Sequence, residues 1–197
     1  DYGKTDKVIQ KYFSMKVDSE QKVIKDNSPD QIIQRENDSD KEIEGTKQKA
    51  FIENSAFLKR ATFQRIQNGK ARFVNIQLLD EFEKEIHAVD YEQNVILRMA
   101  IEVVEDISVL GYGYLIRDKN GVDLVHAGAF IENKLIYDAM KGDKFVIDCK
   151  FRASLMQGQY NIACTISIHI EIELGVVDFC DFVPLAYQFE MYSRKPT

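Results

Sequence analysis

The sequence predicts an all-β protein: an antiparallel β-sandwich with an immunoglobulin-like, jelly-roll-like arrangement of strands, preceded by a helical and linker segment. From about residue 70 onward, apolar residues alternate with polar ones, which is the period of strands that bury one face. Roughly six or seven such stretches follow at short spacing with no helical pattern between them, as in a sandwich. An Asn-Gly pair between two of them is the strongest short signal for a hairpin.

The first predicted strands follow in chain order. Residues 95–103 alternate between apolar and mixed positions and predict a half-buried strand. Residues 112–117 place tyrosine and isoleucine on one face, with glycine, leucine and arginine on the other. The turn Asp118-Lys119-Asn120-Gly121 then predicts a hairpin whose return strand runs through residues 122–126.

Three further strands complete the predicted sandwich. Residues 145–151 form a one-sided pattern, residues 160–168 form the clearest alternation of the chain, and residues 187–191 form the last strand. Tyrosines that fall on the apolar phase of these strands are predicted to lie in the core, namely Tyr112, Tyr114 and Tyr160.

The composition changes near residue 50. The preceding segment is dominated by charged and polar residues, so it can bury little surface. Its one apolar cluster, around Val8 to Phe13, is spaced for a helix face, and a second helical or extended piece is predicted over Ala56 to Ile66. We therefore divide the chain into a helix at 1–17, a polar linker at 18–60 and a sandwich domain at 61–197.

Charge and cysteine content restrict the class of protein. The net charge of −6 argues against nucleic acid as a partner, because such domains normally present a basic face. Three cysteines without a CxxC spacing predict buried thiols in a reducing compartment rather than a disulfide framework. The apolar runs are too short to predict a membrane span.

The motifs that support catalysis or cofactor binding are missing from the sequence. Gly69-Lys70 lacks the upstream glycine and the following Ser or Thr of a Walker A loop, and the histidines have no metal-ligand spacing. No nucleophile motif is present, and no carboxylate pair suited to glycoside hydrolysis falls on the candidate faces. We predict no catalytic residues, no metal and no cofactor.

A series of modest motifs, in order, resembles a known family. They are the stretch from Gly69 to Asp80, the strand at 95–103, the hairpin at 113–121, Gly158-Gln159-Tyr160 with its long strand, and the stretch at 186–191. Together they resemble the C-terminal domain of Wzt-type ATPase subunits, which export O-antigen polysaccharides. The match covers roughly residues 61–197, and the opening around Tyr2 to Tyr12 is similar to the tail of the preceding ATPase domain. The chain departs from the family pattern at His126 to Phe130 and in an apolar loop predicted at 173–182.

The resemblance implies a function without chemistry in this part of the chain. It implies a module that binds the non-reducing end of the finished glycan and couples chain termination to export. It also implies a homodimer, with or without the exchange of a terminal strand such as 186–191 that is frequent in the family, and a membrane-spanning transporter subunit reached through an ATPase domain. The expected location is the cytoplasmic face of the bacterial inner membrane.

A glycan site needs small residues and a few orienting polar groups on an accessible face. Gly113 and Ala163 are small, and the solvent phases of the strands supply donors and acceptors. The predicted carbohydrate-binding residues are Arg98, Arg117, Asn161, Thr165, Ser167, His169 and Gln188. The arginines can equally be solvated strand residues, and a dimerisation or protein-docking module without a glycan ligand remains the alternative.

Overall fold

The structure, a computed structural model, describes residues 24–25, 51–172 and 176–193. The predicted helix at 1–17 lies outside the described residues. The elements in chain order are β1 (Ile24–Lys25), α1 (Ser55–Arg60), β2 (Ile66–Gln67), β3 (Ala71–Leu79), β4 (Ala88–Val89), β5 (Gln93–Val103), β6 (Ile107–Asp118), β7 (Asp123–Gly128), β8 (Ile136–Ala139), β9 (Lys144–Ala153), β10 (Gly158–Glu171) and β11 (Val176–Met191).

Two sheets pack face to face, which confirms the predicted all-β sandwich. The four-stranded sheet has the order β1-β9-β5-β3, and the seven-stranded sheet has the order β2-β11-β10-β6-β7, with β4 beside β11 and β8 beside β6. All these ladders are antiparallel except the parallel pairing of β4 with β11. No helix in the described parts of the chain is long and apolar enough to cross a membrane.

The core lies between the sheets and follows the predicted alternation. Tyr112, Tyr114 and Tyr160 are buried, as their phase in the sequence predicts. The largest fully buried side chains come from both sheets and from α1: Tyr187, Phe57, Phe73, Ile76, Leu78, Leu97, Met99, Ile101, Leu110, Ile116, Ile147 and Ile162.

The thiols of the chain also lie in this core. Cys149, Cys164 and Cys180 are all within the described residues, and all three are buried without a disulfide. Burial raises the pKa of the Cys164 thiol well above its ordinary value and that of Cys180 to about 11. These two thiols are therefore protonated at neutral pH, and all three buried cysteines pack as small apolar core groups.

Part of the segment predicted as a linker joins the folded domain. Ile24 and Lys25 pair with β9 and add an edge strand to the four-stranded sheet. Helix α1 begins after Asn54, whose side-chain oxygen accepts hydrogen bonds from the N–H groups of Ala56 and Phe57 at 2.9 and 3.1 Å. The Phe57 side chain is completely buried against the sandwich. A six-residue helix gains its stability from that packing, because so short a helix is marginal alone.

The last strand is longer than the sequence predicts. We expected a loop over 173–182, but β11 already begins at Val176, and residues 173–175 lie outside the described part. Its pairing with β10 contains bulges near Cys164, Ser167 and Glu171, which shift the side-chain phase along the strand. These shifts, together with apolar residues on both faces, removed the alternation from which a strand is normally recognised.

One buried ion pair ties the two sheets together. Asp181 of β11 is fully buried and accepts a hydrogen bond of 2.7 Å from the backbone N–H of Phe73 in β3. Arg65, in the turn before β2, donates to the same carboxylate and to the carbonyl oxygen of Phe73. The contact fixes β11 against the edge of the opposite sheet.

Candidate functional site

The outer face of the seven-stranded sheet carries a row of small residues. Because Tyr112 and Tyr114 of β6 point into the core, Gly111 and Gly113 face outward. Cross-strand pairing sets Gly113 beside Thr165 of β10, and Gly111 beside Ser167. The face is therefore depressed at its centre, where the hydroxyl groups of Thr165 and Ser167 lie next to backbone that carries no side chain.

Glycine is required where β6 and β7 approach each other. A Cβ atom at Gly128 would lie 2.9 Å from the carbonyl oxygen of Tyr112, and one at Gly113 would lie 3.0 Å from that of Ala127. Either contact would press a side chain on backbone atoms of the paired strand. The missing side chains let the two strands pair closely and leave the depression open.

A cavity of about 630 Å³ occupies this face. Its floor is formed by Gly113, Thr165 and Ser167, and its walls are mostly apolar. The apolar wall residues are Ile66, Phe130, Ile131, Val177, Phe179 and Phe182. Several of them remain strongly exposed: Phe130 and Phe179 keep about half of their surface in solvent. A depression with aromatic walls and a few polar groups is typical of a small-molecule or sugar site.

His169 closes one end of the cavity. Its ring stacks on Phe130, with centroids 5.4 Å apart and planes at 17°, and only 8% of the residue is exposed. Burial lowers the pKa of His169, because the cationic imidazolium is disfavoured away from water. Its Nδ1 has no hydrogen-bond partner among the described residues. A neutral imidazole with unused hydrogen-bonding capacity therefore lies at the wall of the cavity.

Arg117 lies at the other side of the cavity with its charge already balanced. Its Nε donates a hydrogen bond to Asp123 Oδ1, and its guanidinium lies 5.9 Å from the ring centre of Phe182. Both partners of this ion pair line the cavity. The cavity thus contains a cation and an anion that neutralise each other.

A second, polar depression lies beside the cavity on the same face. This groove, of about 400 Å³, is lined by His87, Lys119, Gln159, Tyr160, Asn161, Gln188, Phe189 and Glu190. Asn161 pairs with Arg117 on one side and with Gln188 on the other, so it adjoins the cavity. The polar groove and the cavity therefore occupy neighbouring stretches of β10.

The seven residues predicted to bind carbohydrate fall into three places. Arg117, Thr165, Ser167 and His169 line the cavity, and Asn161 and Gln188 line the polar groove. Arg98 lies on β5 in the other sheet, away from both depressions.

Arg98 is paired with two carboxylates on the side of the four-stranded sheet. Its guanidinium donates two hydrogen bonds of 2.7 Å to Asp148 of β9 and one of 3.1 Å to Glu83. Alternation alone places a polar side chain outward on either sheet, so the sequence did not distinguish this arginine from Arg117.

None of the aromatic wall residues of the cavity is among the seven predicted carbohydrate-binding residues. Phe130 comes from the stretch 126–130, and Phe179 and Phe182 come from the stretch 173–182, the two places where the sequence departs from the family pattern. The available signal was an apolar residue on the solvent phase of a strand or in a loop, because such residues often contribute to a binding surface.

The described residues contain no group of three or more His, Cys, Asp or Glu side chains placed to hold a metal ion. Among the described residues that line the cavity, Asp123 is the one carboxylate, and it is engaged by Arg117.

Comparison with known proteins places the chain beside one family. The family model for the Wzt C-terminal domain matches residues 63–197. A crystal structure of the C-terminal domain of Wzt is similar, with a TM-score of 0.58 and 16% sequence identity, over 68% of this chain and 78% of that chain. At that identity, the likeness shows the fold.

A second solved structure is similar only at a low level. The CARDB domain of a Pyrococcus furiosus protein, solved in complex with di-metal ions, gives a TM-score of 0.34 and 11% identity, over 64% of this chain and 93% of that chain. That score is too low to support any statement about this chain. Comparison with curated protein sequences gave no match.

Proposed function

This chain belongs to the Wzt C-terminal domain family, the C-terminal domains of ABC transporter proteins, and from that premise we propose that it binds the end of a polysaccharide. In this proposal the domain recognises the non-reducing terminus of an O-antigen chain and couples its completion to export. The domain performs no chemistry on the glycan; the ATP-hydrolysing part of the transporter supplies the energy.

The observation that carries the proposal is the cavity on the outer face of the seven-stranded sheet. Its glycine floor leaves room for a ring against the backbone, and its aromatic walls suit the C–H faces of a sugar. Thr165, Ser167 and His169 offer hydroxyl and imidazole groups that can orient it. A small number of convergent polar groups in an apolar depression is sufficient to orient a small ligand.

The electrostatics of the cavity favour a neutral terminal unit. Asp123 pairs with Arg117 and lines the cavity, so a carboxylate or phosphate bound beside the guanidinium would also meet the negative charge of that aspartate. A neutral sugar, or one that carries an apolar substituent, meets no such repulsion. We therefore assign a neutral end group to the ligand of this cavity.

The partners proposed with this function follow the same premise. They are a second copy of the chain, arranged with or without exchange of its last strand, and a membrane-spanning transporter subunit reached through an ATPase domain. The proposed location is the cytoplasmic face of the inner membrane. Nucleic acid is not among the proposed partners, given the net charge of −6.

A second function is favoured by the exposed rim of the cavity. Ile66, Ile131 and Phe179 are all more than half exposed and lie together around its edge. An apolar rim of this kind also suits a dimerisation or protein-docking surface without a glycan ligand. The two functions can be distinguished by whether a soluble polysaccharide binds to this face.

Calorimetric titration with the polysaccharide of the source strain, set against an unrelated polysaccharide, tests the proposal. We expect selective binding that is weakened about tenfold or more by Phe179→Ala and by His169→Ala, since each removes a wall of the cavity. Phe82→Ala is the matched control, because Phe82 is 82% exposed and does not line the cavity. A folded protein that binds neither polysaccharide would favour the docking function instead.

A further inference from the structure

The polar groove differs in chemistry from the cavity beside it. Three side-chain amides line it, from Gln159, Asn161 and Gln188, together with the oppositely charged Lys119 and Glu190. An amide offers both a donor and an acceptor, as does each hydroxyl group of a sugar. The groove is therefore suited to a neutral ligand rich in hydroxyl groups, whereas the cavity offers mainly apolar walls.

The two depressions are aligned along one strand. Thr165 on the cavity floor and Asn161 in the groove lie about 13 Å apart along β10, at about 3.3 Å per residue. Between them lies Ala163, which pairs with Leu115 of β6 and is completely buried, so neighbouring side chains cover it.

The groove also contains one buried polar atom that the described residues leave unsatisfied. Asn161 Oδ1 is buried and has no hydrogen-bond partner among the described residues, although the side chain lines the groove. Gln188 is exposed on the neighbouring strand and faces the same side. A buried polar atom without a partner carries a free-energy cost that a ligand or an ordered water can remove.

We propose that the polar groove is a second subsite, which holds the hydroxyl-bearing sugar units that follow the terminal unit of the same polysaccharide chain. The terminal unit occupies the cavity, and the next units follow the direction of β10 into the groove. This inference rests on the proposed function, because it assigns a further stretch of the same glycan to an adjoining site. It predicts that recognition depends on the chain behind the end group as well as on the end group itself.

The test uses fragments of the source strain's polysaccharide that retain its non-reducing end: the terminal monosaccharide, the disaccharide and the tetrasaccharide. Calorimetry with the whole chain is expected to show affinity that rises with fragment length. Gln188→Ala and Lys119→Ala should each weaken the tetrasaccharide about three- to tenfold, the effect of losing one or two hydrogen bonds. The affinity for the monosaccharide should change less than about twofold.

Both variants alter exposed side chains, and their folding is checked by thermal unfolding. Gln77→Ala is the matched control, since it removes an amide from the other sheet, where Gln77 donates to Glu85. Equal affinity for all fragment lengths in the unmodified protein would overturn the second subsite and leave the proposed function intact. Equal weakening of all fragments by Gln188→Ala would overturn it as well. Failure of every fragment and of the intact polysaccharide to bind would overturn the proposed function itself.

Discussion

The carboxylate of Asp181 and the guanidinium of Arg65 form a bidentate pair, with Nε to Oδ1 at 2.9 Å and Nη2 to Oδ2 at 2.6 Å. The aspartate is fully buried, and the arginine side chain is 9% exposed. The N–H of Phe73 donates to the same carboxylate, so the charge is satisfied by the backbone of the opposite sheet as well. This pair connects β11, which carries the wall of the cavity, to the four-stranded sheet.

Asp181→Asn should destabilise the domain by about 3–5 kcal/mol, because it leaves the Arg65 charge largely buried without a counter-charge. Chemical denaturation followed by circular dichroism measures the change. Glu102→Gln is the matched control: its partner Arg72 is 44% exposed, and breaking that surface pair should cost less than about 1 kcal/mol. Similar losses in the two variants would contradict the role given to the buried pair.

Phe57→Ala should destabilise the domain by about 3–5 kcal/mol, since it empties a fully buried aromatic site beneath α1. Phe63→Ala removes a side chain that is 57% exposed and should change stability by less than about 0.5 kcal/mol. Thermal and denaturant unfolding distinguish the two. A small effect at Phe57 would mean that α1 is not part of the cooperative folding unit.

Gly111→Ala should cost about 1–3 kcal/mol, because a Cβ at this position would lie 2.4 Å from His169 Nε2 and 2.8 Å from Ser167 Oγ. In the His169→Ala background the cost should fall, since the closest clash is gone. A double-mutant cycle by denaturant unfolding measures this coupling. Strict additivity of the two changes would contradict the packing of the imidazole over Gly111.

Stability should fall as the pH drops below about 6.5, in part because of His169. Burial lowers the pKa of His169 in the folded protein, so below its ordinary pKa the unfolded chain binds more protons than the folded chain. The unfolding free energy therefore decreases through this window as the pH falls. We expect His169→Gln to show a smaller decrease than the unmodified protein between about pH 7.5 and about pH 5.5. Identical pH profiles would contradict it.

Alternation in the sequence was sufficient for the strands that bury one face and expose a polar one. It located β10 and the β6–β7 hairpin because Tyr160 and Tyr112 fall on the apolar phase, opposite polar or small residues. It failed for the first half of β11, where Phe179 and Phe182 are apolar residues on the outer face. A binding wall made of hydrophobic residues removes the contrast from which a strand is predicted.

The placement of site residues depended on pairing between distant segments, which periodicity does not encode. The sequence pattern does not distinguish Arg98 from Arg117, because each falls on the outward phase of a strand with alternating apolar residues. Only the sheet order separates them, because β5 pairs with β3 and β9 while β6 pairs with β7, β8 and β10. The outward polar residues of β10 shared a face in the sequence, and they share the two depressions in the structure.

The reactivity of the buried thiols can report local opening of the domain. Cys149 lies in the four-stranded sheet, and Cys164 and Cys180 lie in the seven-stranded sheet, so each layer contains its own alkylation target. A thiol shielded in this way reacts only when its layer opens, and the labelling rate then measures the frequency of that opening. Mass spectrometry of iodoacetamide-treated protein would resolve the two layers separately. Loosening of one layer could thus be followed without introducing any foreign label.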